Sequence, residues 1–324
     1  MSESRKVQQT PTGTFFVCVP RDWAKKSGLK KGDLVSLEVT SDGKLVVDPF
    51  NTVESPPRIT SLNVGPYLGR EIVGRYLLGY DIIDIEAKDR IDSDARKVVK
   101  STASSLVGLE IVEETSSKIS LQTLMQQPSG FIPEKILHRT YAIVAGMTRD
   151  AANSFVYGDV ELAKNVIERD AESNKLYFLL VRILRTIIQN PRLSEKLGIT
   201  PIECLDYRLA ASLIEGIGDS CVQLASKTIA LNGVKMSSEL QKLLLDLQET
   251  CCRANEQALK SFITKDISLA ENVRNLRTKI DTTYSNIERV AKDYSVDLIP
   301  QLLVAVSFLR QIYERSVDMA DLVA

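Results

Sequence analysis

Hydrophobic positions recur at two different periods along this chain, and the change of period divides it into three stretches. In the first fifty residues they run together or alternate. Thr14 to Pro20 is an apolar, β-branched run entered from Gly13, Asp33 to Val39 alternates with a period of two, and Leu45 to Val47 follows an Asp42-Gly43 hairpin signal. Pro20 ahead of Arg21 to Lys26, with Gly28 behind them, predicts one short helix between the strands. A β-α-β-β unit of about 45 residues is too small to cover both of its sheet faces alone, so a dimer is expected.

Glu54 to Pro57 then punctuates the chain with two prolines, which continue neither a helix nor a central strand. From Ile59 to Gln127 strands and helices mix: Tyr80 to Ile85, a polar helix near Ser93 to Ser105, then Glu110 to Val112 and Lys118 to Leu121, closed by a turn at Pro128 to Gly130. Beyond Pro133 apolar residues fall at spacings of three and four with few turn residues, predicting six long helices over 134–157, 160–189, 202–231, 237–264, 267–294 and 298–322. The expected architecture is mainly α: a small β-rich N-terminal domain (1–52), an α+β connector (58–128), and two three-helix bundles over 133–324, divided as 133–231 and 236–324.

The two bundles repeat one another. Asp159 to Val166 and Asp266 to Val273 share D-x-x-L-A-x-N-V, and an internal duplication explains the match with each amphipathic trio stacking its apolar faces. At the same point of each third helix stands an acidic pair, Glu215 with Asp219 and Glu314 with Asp318. Residues four apart lie on one helix face about 6 Å from each other, so each pair presents two hard oxygen ligands to a cation. Two solvated helix faces are the alternative.

Composition narrows the chemistry. With 324 residues and a net charge of −1, the chain is not basic throughout, and any nucleic-acid contact has to be local. Five cysteines without C-x-x-C spacing read as reduced core thiols, and no leader-like or spanning apolar segment stands out, so a soluble, cytoplasmic protein is expected. His138 is the only histidine and reads as a structural helix residue. No Walker loop, dinucleotide fingerprint or G-x-S-x-G occurs, and a di-iron bundle enzyme needs E-x-x-H pairs that this bundle lacks; no enzyme is expected. Tyr67, Tyr76 and Tyr80 near Arg70 and Arg75 read as core packing rather than a nucleic-acid surface, Trp23 as a core or dimer anchor, and Gly13, Gly69, Gly74 and Gly79 as turn or packing glycines.

At Asp159 to Ala163, Val166 to Asp170 and Glu215 to Asp219, and again at Asp266 to Val273, Lys279 to Asp281 and Glu314 to Ala320, the helical half resembles the PhoU family of phosphate-signalling regulators, built of two repeated three-helix bundles. The resemblance implies a surface metal site of Asp170, Glu215 and Asp219 and a second of Asp281, Glu314 and Asp318. Carboxylates without histidine favour Mg²⁺, Mn²⁺ or Fe. The chain departs from the family at Asn174, where a second aspartate is common, and at Arg277, which aligns with Asp170 and can neutralise Glu314 or Asp318 in place of a cation.

The N-terminal fifty residues resemble the AbrB/SpoVT/MazE swapped-hairpin DNA-binding family, on Arg5 to Val7, Gly13, Val19 to Arg21, Lys25 to Leu29 and Lys31 to Asp33. That resemblance implies DNA contacts from Arg5, Lys6 and Lys25, with Arg21 and Lys26 as neighbours. Thr14 stands where an arginine often follows the glycine, and eight basic against six acidic side chains leave an excess of two per chain. Two functions remain open. One is a phosphate-responsive regulator that holds DNA through its N-terminal dimer and senses metal, phosphate or a transporter partner through the bundles. The other is an accessory protein that docks on a phosphate ABC transporter ATPase or a signalling partner and uses the hairpin only to dimerise.

Overall fold

The computed structural model describes residues 3–39, 43–49, 57–124, 132–231, 236–292, 294 and 299–323. The chain divides into two compact units, Met1–Pro57 and Arg58–Ala324.

In the first unit β1 (Gln8–Gln9) pairs antiparallel with β2 (Phe15–Phe16), and β3 (Ser36–Val39) with β4 (Leu45–Asp48), Val39 facing Leu45. The long apolar run expected from Thr14 to Pro20 is a strand only at Phe15 and Phe16, because β1 offers a ladder partner to two residues and no more. Gly13, at φ 93°, turns the chain between them. Helix α1 (Arg21–Lys26) starts after Pro20 and ends where Gly28, at φ 68°, lets its N–H reach the Lys25 carbonyl and the Leu29 N–H reach that of Ala24, a paired closure of the last turn. Ser41 and Asp42 of the hairpin signal, and Glu54 to Pro56 of the proline boundary, lie outside the described residues. None of the described residues before Arg58 is buried: Phe15, Leu37 and Val39 keep 69, 60 and 67% of their surface exposed, and Trp23 is only half-buried.

The second unit opens with β5 (Ile59–Asn63), α2 (Leu68–Leu77), β6 (Ile82–Glu86), α3 (Ser93–Ser104), β7 (Leu109–Glu114) and β8 (Lys118–Thr123), in a sheet ordered β5-β6-β8-β7 with only β5 and β6 parallel. Leu62, Ile83, Ile85, Ile119 and Leu121 bury one sheet face against Ile72 and Tyr76 of α2 and Val99 of α3. Sequence periodicity does not single out β5 and α2. Gly69 lets α2 approach α3, since a methyl there would lie 3.1 Å from Thr102 Oγ1, and Gly79, at φ 82°, turns the chain after α2; Gly74 instead faces open space.

The helical half comprises α4 (Pro133–Tyr157), α5 (Val160–Gln189), α6 (Pro191–Leu197), α7 (Pro201–Leu231), α8 (Ser238–Thr264), α9 (Ile267–Asn275), α10 (Arg277–Ala291) and α11 (Ile299–Ala320). The repeated D-x-x-L-A-x-N-V has a physical reading. Asp159 and Asp266 cap α5 and α9 by accepting from the backbone N–H of Leu162 and Leu269, while Ala163, Val166, Ala270 and Val273 are buried. Gly158 and Lys265 each take the left-handed conformation at the end of the preceding helix.

Two departures from the expected six helices stand out. Pro191 forces Asn190 into extended backbone, ending α5, and the Asn190 side chain then caps the extra helix α6. The helix expected over 267–294 breaks at Leu276, whose N–H bonds the Val273 carbonyl.

Helices α4, α5 and α7 form one trio and α8, the broken helix α9 and α10, and α11 the other, with α4 packed on α8 and α7 on α11, so one apolar core runs through both. Helix α2 also packs on α5, and the expected division at 128–133 falls largely on residues 125–131, outside the described ones. Cys204, Cys221 and Cys251 are core thiols, but Cys252 is only half-buried and Cys18 is exposed, against expectation. His138 sits exposed on α4, 3.9 Å from Glu134. No helix among the described residues is long and apolar enough to cross a membrane.

Candidate functional sites

The first acidic set lies where α5 and α7 meet. Gly218, between Glu215 and Asp219, leaves the space: a methyl there would sit 3.6 Å from Asp170 Oδ1 and 3.8 Å from Ser173 Oγ. Both of those oxygens are buried and lack a hydrogen-bond partner. Asn174 Nδ2 donates to the other Asp170 oxygen, Oδ2, at 2.7 Å. Burial, then the neighbouring charge of Asp219, raises the Asp170 carboxyl above its usual range, with Asn174 opposing. Glu215 is raised by burial and by Asp219 and Asp170, with Arg208 and Arg315 acting against the shift. The three carboxylates therefore share one electrostatic environment with excess negative charge.

An orphaned carboxylate oxygen beside an orphaned hydroxyl suits a hard cation or its bound water, and the all-oxygen donor set suits Mg²⁺, Mn²⁺ or Fe. As they stand, no three His, Cys, Asp or Glu groups among the described residues are drawn together closely enough to hold a metal ion.

The second set is built differently. Arg277 on α10 makes a two-pronged contact with Glu314 on α11, Nη2 to Oε2 at 3.0 Å and Nη1 to Oε1 at 3.3 Å. Arg310 donates to Asp281 Oδ1 at 3.1 Å and brings Nε to 3.6 Å from Glu314. Asp318 is raised by burial and then by Asp321 and Glu314, with Arg315 opposing. The carboxylates of Asp281 and Glu314, aligned in sequence with a metal-ligand set, are thus held by guanidinium groups. Arg277 pairs with Glu314 rather than Asp318. Arg310 is a partner that the sequence reading omits, although its place four residues before Glu314 is the signal for it.

Arg315 joins the two sets. Its Nη1 donates to Ser220 Oγ on α7 at 2.5 Å, and its Nε occupies space 2.8 Å from where a Gly216 methyl would stand. Glycine at 216 is what admits this guanidinium between α7 and α11.

In the N-terminal unit Arg5, Lys6, Arg21, Lys25 and Lys26 are all exposed. Arg21 and Lys25 are four apart on α1, which places them on one face, and Arg5 pairs with Glu3 at 2.5 Å. Of the aromatic residues expected in the connector core, Tyr76 is buried, Tyr67 is exposed, and Tyr80 is partly covered by the guanidinium groups of Arg58 and Arg75, at 4.7 and 5.8 Å. Sequence reasoning also misses Arg182. This buried side chain of α5 donates to the carbonyls of Tyr76 and Tyr80 and to Asp81 Oδ1.

Two family models match the chain: the PhoU domain over residues 137–228, and antidote-toxin recognition MazE, bacterial antitoxin, over residues 8–54. Among solved structures it resembles PhoU from Pseudomonas aeruginosa, with a TM-score of 0.53 and 20% identity over 59% of this chain and 93% of that one. It also resembles the phosphate transport system regulatory protein PhoU from Streptococcus pneumoniae, with a TM-score of 0.50 and 16% identity over 59% and 91%. No curated protein matches the chain significantly.

Proposed function

We infer that this PhoU-like chain with a MazE-like N-terminal segment is a regulator of phosphate uptake, which reads DNA through its N-terminal unit and senses a cation, phosphate or a transporter partner through its helical half. The observation that carries the reading is the pairing on one chain of a coreless N-terminal unit bearing exposed basic residues with a PhoU-like bundle whose first acidic set holds buried, unpartnered oxygens. A unit with no buried residue among those described gains a core by interleaving with a second copy, which doubles its modest positive excess. A regulatory rather than catalytic role agrees with a bundle whose sole histidine is exposed.

DNA reading is tested by titrating salt against binding to the chain's own upstream region. The logarithmic slope falls by about 0.9 for each phosphate that a side chain ceases to neutralise, so Arg21→Ala/Lys25→Ala is expected to flatten it by about 4 in a dimer and to weaken binding while folding is kept. Binding that is identical in the variant overturns the roles of these residues.

The ion pair of Arg5 with Glu3 favours a second reading, because it subtracts one cation from an already thin set. In that reading the hairpin only dimerises and the bundles dock on a phosphate ABC transporter ATPase or a signalling partner. Absence of DNA binding at low salt, with capture of the ATPase, selects it.

Cation sensing by Asp170, Glu215 and Asp219 has its own test at Gly218. The methyl of Gly218→Ala meets its neighbours at ordinary contact distances, and alanine favours a helix interior by about 1 kcal/mol. The variant is expected to melt no lower than the parent yet to bind Mn²⁺ more weakly, because the methyl covers the two orphaned oxygens. Equal Mn²⁺ affinity in a titration removes those oxygens from the site.

A further inference from the structure

We propose that the second half of the bundle carries its cation within the chain, the guanidinium groups of Arg277 and Arg310 standing where the first half takes an external ion. The two halves then perform unequal tasks. The inference rests on the reading of Asp170, Glu215 and Asp219 as a cation site. Its own ground is the chemistry of the second set.

The repeat supplies the comparison. Aligned on Asp159 and Asp266, Arg277 stands at the place of Asp170, and Asp281 at the place of Asn174. Aligned on Glu215 and Glu314, Arg310 stands at the place of Ala211 and Arg315 at that of Gly216. Three positions that are acidic or small in the first half are therefore arginine in the second. Each has a partner within the bundle, although Arg277 stays exposed: Arg277 grips both oxygens of Glu314, Arg310 bonds Asp281 and approaches Glu314, and Arg315 reaches over Gly216 to Ser220. Aromatic faces hold two of them in place, with Arg277 5.6 Å from the Tyr313 ring and Arg310 5.3 Å from that of Tyr284.

Arg277 and Arg310 offset the charges of Glu314 and Asp281, two of the three carboxylates of the second set, and weaken its coulombic attraction for an external divalent ion. In the first set Arg208 and Arg315 act on Glu215 only at longer range, and neither forms an ion pair with it among the described residues. Asp170 Oδ1 and the fully buried Ser173 Oγ have no partner there. One half is closed from within and the other is open.

The test reverts the second half to the residues of the first and reads Mn²⁺ binding to the full chain by calorimetry and electron paramagnetic resonance. In the wild type, Glu314→Gln/Asp318→Asn is expected to leave the Mn²⁺ titration unchanged, whereas Glu215→Gln/Asp219→Asn weakens it more than about tenfold. Adding Arg277→Asp/Arg310→Ala to the Glu215→Gln/Asp219→Asn chain is expected to create a new Mn²⁺ site, lost again with Glu314→Gln. If the wild type binds no Mn²⁺ while the reverted chain does, the reading of the first set fails and the unequal tasks fall with it, while the internal closure of the second half by Arg277 and Arg310 stands. Wild-type binding that disappears with Glu314→Gln/Asp318→Asn overturns it, as does a folded reverted chain that gains nothing. Should the double reversion not fold, Arg277→Gln alone is melted with and without Mn²⁺. A melting temperature raised by Mn²⁺ in the Glu215→Gln/Asp219→Asn background supports the inference, and an unmoved one overturns it.

Discussion

Placing one charge in the N-terminal apolar set, as Phe15→Asp or Leu37→Asp, is expected to convert the proposed dimer to monomer in light scattering coupled to gel filtration. Within one chain these side chains keep 69 and 60% of their surface in water, so a carboxylate there disturbs no core of its own unit. In the proposed interleaved dimer they become the core. Burying a Leu or Phe side chain is worth about 1.5–3 kcal/mol, and in a two-fold interface each substitution is counted twice. The lost apolar contribution alone is about 3–6 kcal/mol, two to four decades in the dissociation constant, before any cost of burying the carboxylate. DNA binding falls with the dimer, whereas Arg21→Ala/Lys25→Ala leaves the dimer intact. Equal association of the variants and the parent refutes the swapped-hairpin dimer.

Arg182→Ala is expected to cause the largest loss of stability in the second unit. The Arg182 side chain is 6% exposed, lies 4.9 Å from the Tyr76 ring, and satisfies two carbonyls at the end of α2 together with Asp81. Asp81 also accepts from the backbone N–H of Arg58, so it ties β5 and α5 to the same turn. Removing the guanidinium leaves the Tyr76 and Tyr80 carbonyls without this donor and Asp81 without its main counter-charge. Asp81 is 40% exposed, so breaking this pair costs less than the ~3–5 kcal/mol of a fully buried one, and with the carbonyls left without this donor the loss is about 2–4 kcal/mol. At about 2–4 °C per kcal/mol for a body of this size, the melting midpoint falls by about 10 °C. Lysine is not expected to rescue it, because one ammonium cannot span three acceptors spread around a planar fork. A drop of only a degree or two shows that α2 and α5 hold together without it.

The helical half is legible in the sequence because its signals are local. Apolar residues three and four apart, Asp159 and Asp266 as caps, and glycine or proline stops mark five of the six helices to within one or two residues. The exceptions are non-local or weakly marked. Strand β2 is shorter than its apolar run because ladder length depends on a distant partner. Helix α2 hides behind Gly69 and Gly74, although Leu68, Ile72 and Tyr76 at intervals of four are its buried stripe. The break at Leu276 has no proline or glycine to announce it.

The candidate sites divide in the same way. Each E-x-x-x-D pair is visible because four residues make roughly one helical turn. Ser173 beside Gly218, and Arg315 over Gly216, come together only when α5, α7 and α11 pack. Arg182 is invisible for the same reason: a lone arginine in an apolar helix shows no partner until the turn after α2 is laid against it.

The shared core of the two trios also bears on how such a chain can change. Two of the helices meet their own counterparts, α4 against α8 and α7 against α11, as two identical subunits do across a two-fold axis. In a true homodimer every substitution appears on both sides of that axis at once. A dimer that traded an acidic ligand for arginine would therefore lose both cation sites together. Fusing the two copies into one polypeptide removes that obligation, since Asp170 and Arg277 are then separate positions. On the proposal of unequal halves, one half drifts toward permanent closure while its twin keeps an open site, and the tether gives every molecule one of each.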